Sequence, residues 1–344
     1  MSVYLLVLCL ALLPQEGRAR PEPPGCSSPE AVRVAEEALE QINQDRRSGY
    51  ILSLNRLYDV SHTPKKEKDG SLYNLTIDVM ETRCHVISRK PWKQCEVKSI
   101  GSVPVYGECE VSAHVDTQVK LQNYSCVTRK VPSAEVVGVC PDCPTSVNLN
   151  EPIVTKTARL SLQKFNDQSH LANYFALENI TAARAQWIFG MSYFVDFTIV
   201  ETVCAKNTKA SERGSCPPMD SQSAHRGYCS GSHVSRYFPF ETAIPVGRDT
   251  FLSVQAKCEI YNPQAAAAEE QARAHAGHQH HNHTGPQPQE QEQVSSVAPG
   301  LPVSEPCGCL GTVVDLPASP RPAPAASSCP GPRRHNLHIR SLNL

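Results

Sequence analysis

Apolar and polar residues follow two rhythms along this chain, and the two rhythms occur twice in the same order. Ser28 can cap a helix, Pro29 suits its first position and Glu30 its first turn. Val32, Ala35, Leu39 and Ile42 then recur at helical spacing with charged residues between them, and Gly49 ends the run. Tyr50 to Val60 and Leu72 to Val86 read as strands, with a lysine-rich turn at 64–70 between them. After Asn150 the order returns. Val154, Ala158, Leu162 and Phe165 share one face of a helix over Ile153 to Phe165, and Tyr174 to Ala183 and Gln186 to Val203 read as strands.

The two halves also match letter by letter. Tyr73 to Cys84 (YNLTIDVMETRC) aligns without a gap to Tyr193 to Cys204 (YFVDFTIVETVC), at a constant offset of 120 residues. A repeat of this length fixes the architecture before any finer assignment. The expected fold is α+β: two tandem copies of one domain, each a helix followed by an antiparallel meander, over 20–137 and 151–261. A linker at 138–150 joins them. Beyond Tyr261 alanine, glutamine, proline and histidine dominate, and 262–344 reads as a mostly disordered, low-complexity tail.

The cysteines repeat as well. Cys84 and Cys95 are 11 apart and Cys204 and Cys216 are 12 apart, each spacing suited to a staple across a hairpin. Cys109 and Cys126 recur as Cys229 and Cys258 with a longer loop. Spacing alone leaves swapped pairings open. If Cys307 and Cys309 close on each other, Cys26 and Cys329 remain, tying the tail to the start of the first domain.

Composition narrows the class. There are 15 cysteines and a formal net charge of −1, so no bulk charge draws the chain to nucleic acid or an acidic membrane. Val3 to Leu13 is an apolar run too short to span a bilayer, and Gly17-Arg18-Ala19 places small residues for a cut after Ala19. Residues 1–19 therefore read as a secretory signal. Removing it with Cys9 leaves an even 14 cysteines for an oxidising compartment. No later stretch is apolar enough to span a membrane. The expectation is a secreted, monomeric protein, with N-glycosylation sequons at Asn74, Asn123, Asn179 and Asn282.

Three stretches carry candidate chemistry. The first is Cys140-Pro141-Asp142-Cys143-Pro144, close to the midpoint between the halves. A redox Cys-x-x-Cys opens a helix in a βαβ setting, which is lacking here. A structural zinc needs a second ligand pair, and Cys307-Gly308-Cys309 has the wrong spacing. A rigid spacer staple and a protease bait remain. The second is Gln186-Trp187-Ile188-Phe189-Gly190, read from periodicity as strand. The third is His275, His278, His280, His281 and His283, whose neutral imidazoles suit weak, adaptable binding of zinc, copper or nickel. The chain has no Gly-x-Ser-x-Gly, His-Glu-x-x-His or P-loop, so it is read as a non-enzyme without a cofactor.

A helix wrapped by an antiparallel sheet, twice over and with two disulfides per copy, resembles tandem cystatin domains. Glu37 to Tyr50 (EALEQINQDRRSGY), the motif at 140–144, Gln186 to Gly190 and the order of cysteines together resemble the fetuins, and Cys-Pro-Asp-Cys-Pro points to their fetuin-B branch. The resemblance covers 26–261. It implies a Cys26–Cys329 bond, since in this family the first cysteine pairs with the last, while Cys307 and Cys309 depart from the fetuin pattern. It also implies inhibition of astacin-family zinc metalloproteases. A catalytic zinc keeps one position open for water, and a carboxylate delivered there removes the nucleophile. Asp142 would be that ligand, Cys140 and Cys143 the clamp, Pro141 and Pro144 the stiffeners, with second-domain hairpins flanking the ring. The physiological setting implied is restraint of egg-coat hardening at fertilisation. Two alternatives stand beside it. One is a fetuin-like plasma carrier. The other is a cysteine-protease inhibitor using Gln186 to Gly190, which resembles the cystatin Gln-x-Val-x-Gly hairpin; its companion Pro-Trp loop occurs only in the first half, as Pro91-Trp92.

Overall fold

The computed structural model describes residues 25–64, 70–187, 190–208, 216–220, 223–235, 253–263, 310–317 and 322–339. The signal sequence at 1–19, Ile188, Phe189, the five clustered histidines, Asn282, Cys307 and Cys309 lie outside the described residues.

Each half is a helix laid across a curved antiparallel sheet. Helix α1 (Pro29–Asp45) buries Ala31, Val34, Ala35, Ala38, Leu39 and Ile42. Pro29 occupies the first turn, and Ser28 takes the N-cap backbone conformation without a capping bond from its side chain. The helix ends at Arg46 rather than at Gly49, which instead takes φ 79° in the turn to the sheet. Strands β1 (Tyr50–Pro64), β2 (Ser71–His85), β3 (Val105–Val115) and β4 (Val119–Lys130) pair in sequence order.

After helix α2 (Ser133–Val139) the pattern recurs. Strand β5 (Thr145–Ser146) leads into helix α3 (Pro152–Gln168), then β6 (Asn173–Trp187), β7 (Met191–Ala205), β8 (Arg226–Ser235) and β9 (Val254–Tyr261). The second domain's first hairpin still pairs at Trp187 and Met191, beyond the turn at 184–185 that the apolar pattern suggested. The pairing of Trp187 with Met191 carries β6 past its last inward-facing residue, so periodicity alone misplaced the turn.

The sequence repeat is a structural repeat. Cys109 pairs directly across from Cys126, and Cys229 across from Cys258, each pair disulfide-bonded. Cys84–Cys95 and Cys204–Cys216 both span 5.8 Å between Cα atoms. Thr82 Oγ1 accepts the Cys84 amide at 3.2 Å, and Thr202 Oγ1 accepts the Cys204 amide at 3.3 Å.

A second repeat lies outside the gap-free sequence match. The Asn43 carboxamide donates to Leu52 O and accepts from Leu52 N, both at 2.8 Å; Asn166 does the same with Phe175, both at 2.9 Å. Each clamp pins the end of a helix to the first strand of its sheet.

Part of the expected low-complexity tail is folded onto the first domain. Strand β10 (Gly311–Asp315) adds in parallel to β4. Residues 322–339 then run beside β1: Gly331 N donates to Leu57 O and Arg334 N to Asn55 O, both at 2.8 Å, and Cys329 bonds Cys26.

Candidate functional site

The ring forms where α2 runs out. Cys140 N still donates to Val136 O at 2.8 Å, continuing the helical pattern by one residue. Proline then removes the next backbone donor, and Cys143 N turns back to Cys140 O at 3.1 Å. With Cα atoms 5.3 Å apart, Cys140 to Cys143 is a β-turn closed by its own disulfide, Pro141 presetting the first corner and Asp142 occupying the second. Asp142 is exposed, and among the described residues no hydrogen bond or ion pair engages its carboxylate.

The second domain holds the ring from the other side. Two residues past Cys143, β5 joins the edge of β6, pairing Thr145 with Ala185 and Ser146 with Arg184, and Val147 N donates to Ala183 O. This pairing brings the ring alongside the β6–β7 hairpin. There the Gln186 side-chain amide donates to the Asp142 carbonyl at 2.6 Å. Gln186 thus binds the turn's backbone and leaves its carboxylate outward. Beside it Trp187 is 61% exposed, and on α2 Val137 and Val139 are 43% and 47% exposed. An acidic tip with apolar shoulders therefore projects from the domain junction. A cavity of about 740 Å³ opens nearby, lined by Arg46, Tyr50, Lys98 and Arg184 among others, and does not include the ring.

The junction behind it is bonded across both domains. Tyr50 of the first domain is buried; its hydroxyl bonds Thr181 Oγ1 at 2.9 Å and accepts from Tyr228 at 3.4 Å. His85 stacks on Tyr228, and Lys98 Nζ sits 3.2 Å from the centre of the Tyr50 ring while pairing with Glu81. Burial, then the charges of Arg46 and Lys98, push the His85 pKa down to about 4. Lys90 and Glu259 close the rim with an ion pair at 2.8 Å.

The two cystatin-like contacts part company. Gln186 and Trp187 are at an exposed hairpin tip, where Gly190 takes φ 138°. Trp92 is only 6% exposed, with the Lys93 and Arg334 cations over its ring. Sequons Asn74, Asn123 and Asn179 are all exposed on strands. Among the described residues no group of three His, Cys, Asp or Glu side chains is placed to hold a metal, and no helix is long and apolar enough to cross a membrane.

A cystatin-domain family model matches residues 20–118 and 142–233. Bovine fetuin-B is 36% identical over 244 residues, 67% of this chain and 62% of that protein. This chain belongs to the cystatin family, in its fetuin branch. The fetuin spans 60–62% of the length of bovine, mouse and rat fetuin-B. It is similar to mouse fetuin-B in a solved inhibitory complex with human meprin beta (TM-score 0.59, 34% identity, covering 71% of this chain and 75% of that one). It is also similar to mouse fetuin-B in complex with crayfish astacin (TM-score 0.56, 34% identity, covering 70% and 74%).

Proposed function

We propose that this fetuin is a secreted inhibitor of astacin-family zinc metalloproteases, and that Asp142 is the group it delivers to the protease's catalytic zinc. The observation that carries the reading is the exposed Asp142 carboxylate on a disulfide-closed turn whose backbone is held from both domains. A carboxylate entering the open coordination position displaces the water that would attack the substrate. The closed turn serves two ends. It lowers the ordering cost of binding, and it bends the chain away from the extended pose a protease cleaves. Trp187, Val137 and Val139 supply apolar contact around the charge, the pattern of a buried anchor within a larger interface. The complexes of mouse fetuin-B with meprin beta and astacin support the choice of partner. Within this reading the physiological role is restraint of egg-coat hardening at fertilisation.

Cysteine-protease inhibition is the weaker alternative. A cystatin wedge needs both contacts free on one edge, and Trp92 is buried under Arg334 in the other domain. A carrier role draws on no feature of the site.

The test is inhibition of an astacin-type enzyme by wild type and by Asp142→Ala. Removing one partner of a desolvated charge contact costs about 2–5 kcal/mol, so the variant should inhibit roughly 30-fold to several thousand-fold less well with its thermal unfolding unchanged. Equal inhibition by both would end the reading.

A further inference from the structure

The ring stands on a floor whose last piece comes from the far end of the chain. Val131, Val136 and Ile339 form a small buried cluster, with Ile100, Tyr106, Leu337 and Cys143 packed against it. Val131 closes β4's end, Val136 is the inward face of α2, and Cys143 is half of the ring's own disulfide. Ile339 is 1% exposed although its neighbours Asn336 and His338 face solvent. A residue buried this fully at the end of a polar segment has a packing task.

The segment is built to deliver it. Cys329 anchors the chain to Cys26, and Ile339 follows ten residues later (339 − 329). Between them Gly331 and Arg334 bond the β1 backbone, His335 N bonds Asn55 Oδ1 at 2.9 Å, and Arg334 pairs with Glu36 at 2.7 Å. The Asn336 side chain then accepts from His338 N at 2.7 Å, and His338 takes φ 57°. A non-glycine residue adopts that left-handed conformation where contacts on both sides hold it. Leu337 and Ile339 enter the cluster from either side of this bend.

Helix α2 is what needs the support. Seven residues make a helix far too short to persist without tertiary packing, and Val136 is its one buried residue. Ile339 shares the buried cluster with Val136, and Cys143 packs against that cluster, so the side chain that completes it supports the helix that ends in the ring and, through the cluster, the ring itself.

We propose that Ile339 is a positioning residue for the Cys140–Cys143 ring: the C-terminal segment, locked by Cys26–Cys329, fixes the angle at which Asp142 is presented. The inference deepens the proposed inhibitory function and rests on it for its purpose, but its physical content is local and is tested apart from any protease. The probe is a mild thiol reductant applied to the intact protein, with cysteines alkylated over time and mapped by mass spectrometry. Ile339→Ala should reduce the Cys140–Cys143 bond roughly tenfold faster than wild type, leave the Cys204–Cys216 rate unchanged, and weaken inhibition of an astacin-type enzyme by about tenfold. Ile339→Val keeps a branched side chain and should restore most of both. It also serves as the measurable variant, with a small rate increase, if the alanine protein fails to fold. Ring reduction at the wild-type rate in the folded variants overturns the inference whatever the inhibition data show. Faster reduction with undiminished inhibition upholds the brace and overturns the inhibitory role of the ring.

Discussion

The two domains share one four-stranded core and differ in how the fifth strand arrives. In the first domain it is β10, from the tail, added in parallel to the β4 edge; in the second it is β5, from the linker, added antiparallel to the β6 edge. The first domain is the anchored partner, its outer edge and its Trp92 both covered by returning chain. The second is the one whose hairpin reaches the ring. Its opposite edge is taken by the segment that leaves the ring, so its first hairpin lies beside Asp142. Duplication made two like frames, and the strand added to each decides which one lies beside the ring.

The two tryptophans sharpen this contrast most. Trp92→Ala should lose about 3–5 kcal/mol of stability in denaturant unfolding, because the ring is buried beneath Arg334. An unfolding curve that matches wild type would mean the first domain's loop is not anchored.

The domain junction comes next. The repeat places Ala205 where the first domain has His85, at the same offset of 120 residues, so the buried imidazole belongs to one copy only. Its folded pKa of about 4 lies below the ordinary value of 6.5. The unfolded chain therefore binds more protons between those values. Stability is fully present above about pH 6.5 and falls by roughly 3 kcal/mol as pH drops through the window to about 4. His85→Phe should flatten that part of a stability–pH profile; the same slope in the variant would place the titration elsewhere.

The asparagine clamps test the likeness rather than the difference. Asn43→Ala and Asn166→Ala each strand a strand's amide and carbonyl and should each cost about 1–3 kcal/mol. The buried Asn43 should cost more than the half-buried Asn166. Destabilisation at only one of the two would show that the frames are not equivalent.

Smallest in energy is Trp187→Ala. It should leave unfolding within about 0.5 kcal/mol of wild type and weaken protease inhibition about tenfold. Because the chain has two tryptophans, a Trp92→Phe protein reports Trp187 alone, and its fluorescence should shift to the blue when the protease binds.

Much of this was legible in the residues. The gap-free match of Tyr73–Cys84 to Tyr193–Cys204 gave the duplication, and the motif at 140–144 marked the ring, because short-range covalent and proline chemistry is written locally. What escaped was long-range. The reach of the hairpin to Trp187 and Met191 was set by pairing of β6 with β7, which apolar periodicity does not encode. The Asn43 and Asn166 clamps had a faint signal, an asparagine nine residues before an apolar strand position in both copies. Ile339 had none: it sits in a polar segment whose place depends on a disulfide spanning 303 residues.

The claim on which the rest depends is that the Asp142 carboxylate reaches the partner's metal. An astacin-type protease with cobalt in place of zinc reports that event directly, since the visible bands of the metal follow its ligands. Titration with wild-type protein should change those bands in step with inhibition, and Asp142→Asn at saturating concentration should leave the bands of the water-bound enzyme in place. A wild-type complex that is fully inhibited with the cobalt spectrum unaltered would contradict the account.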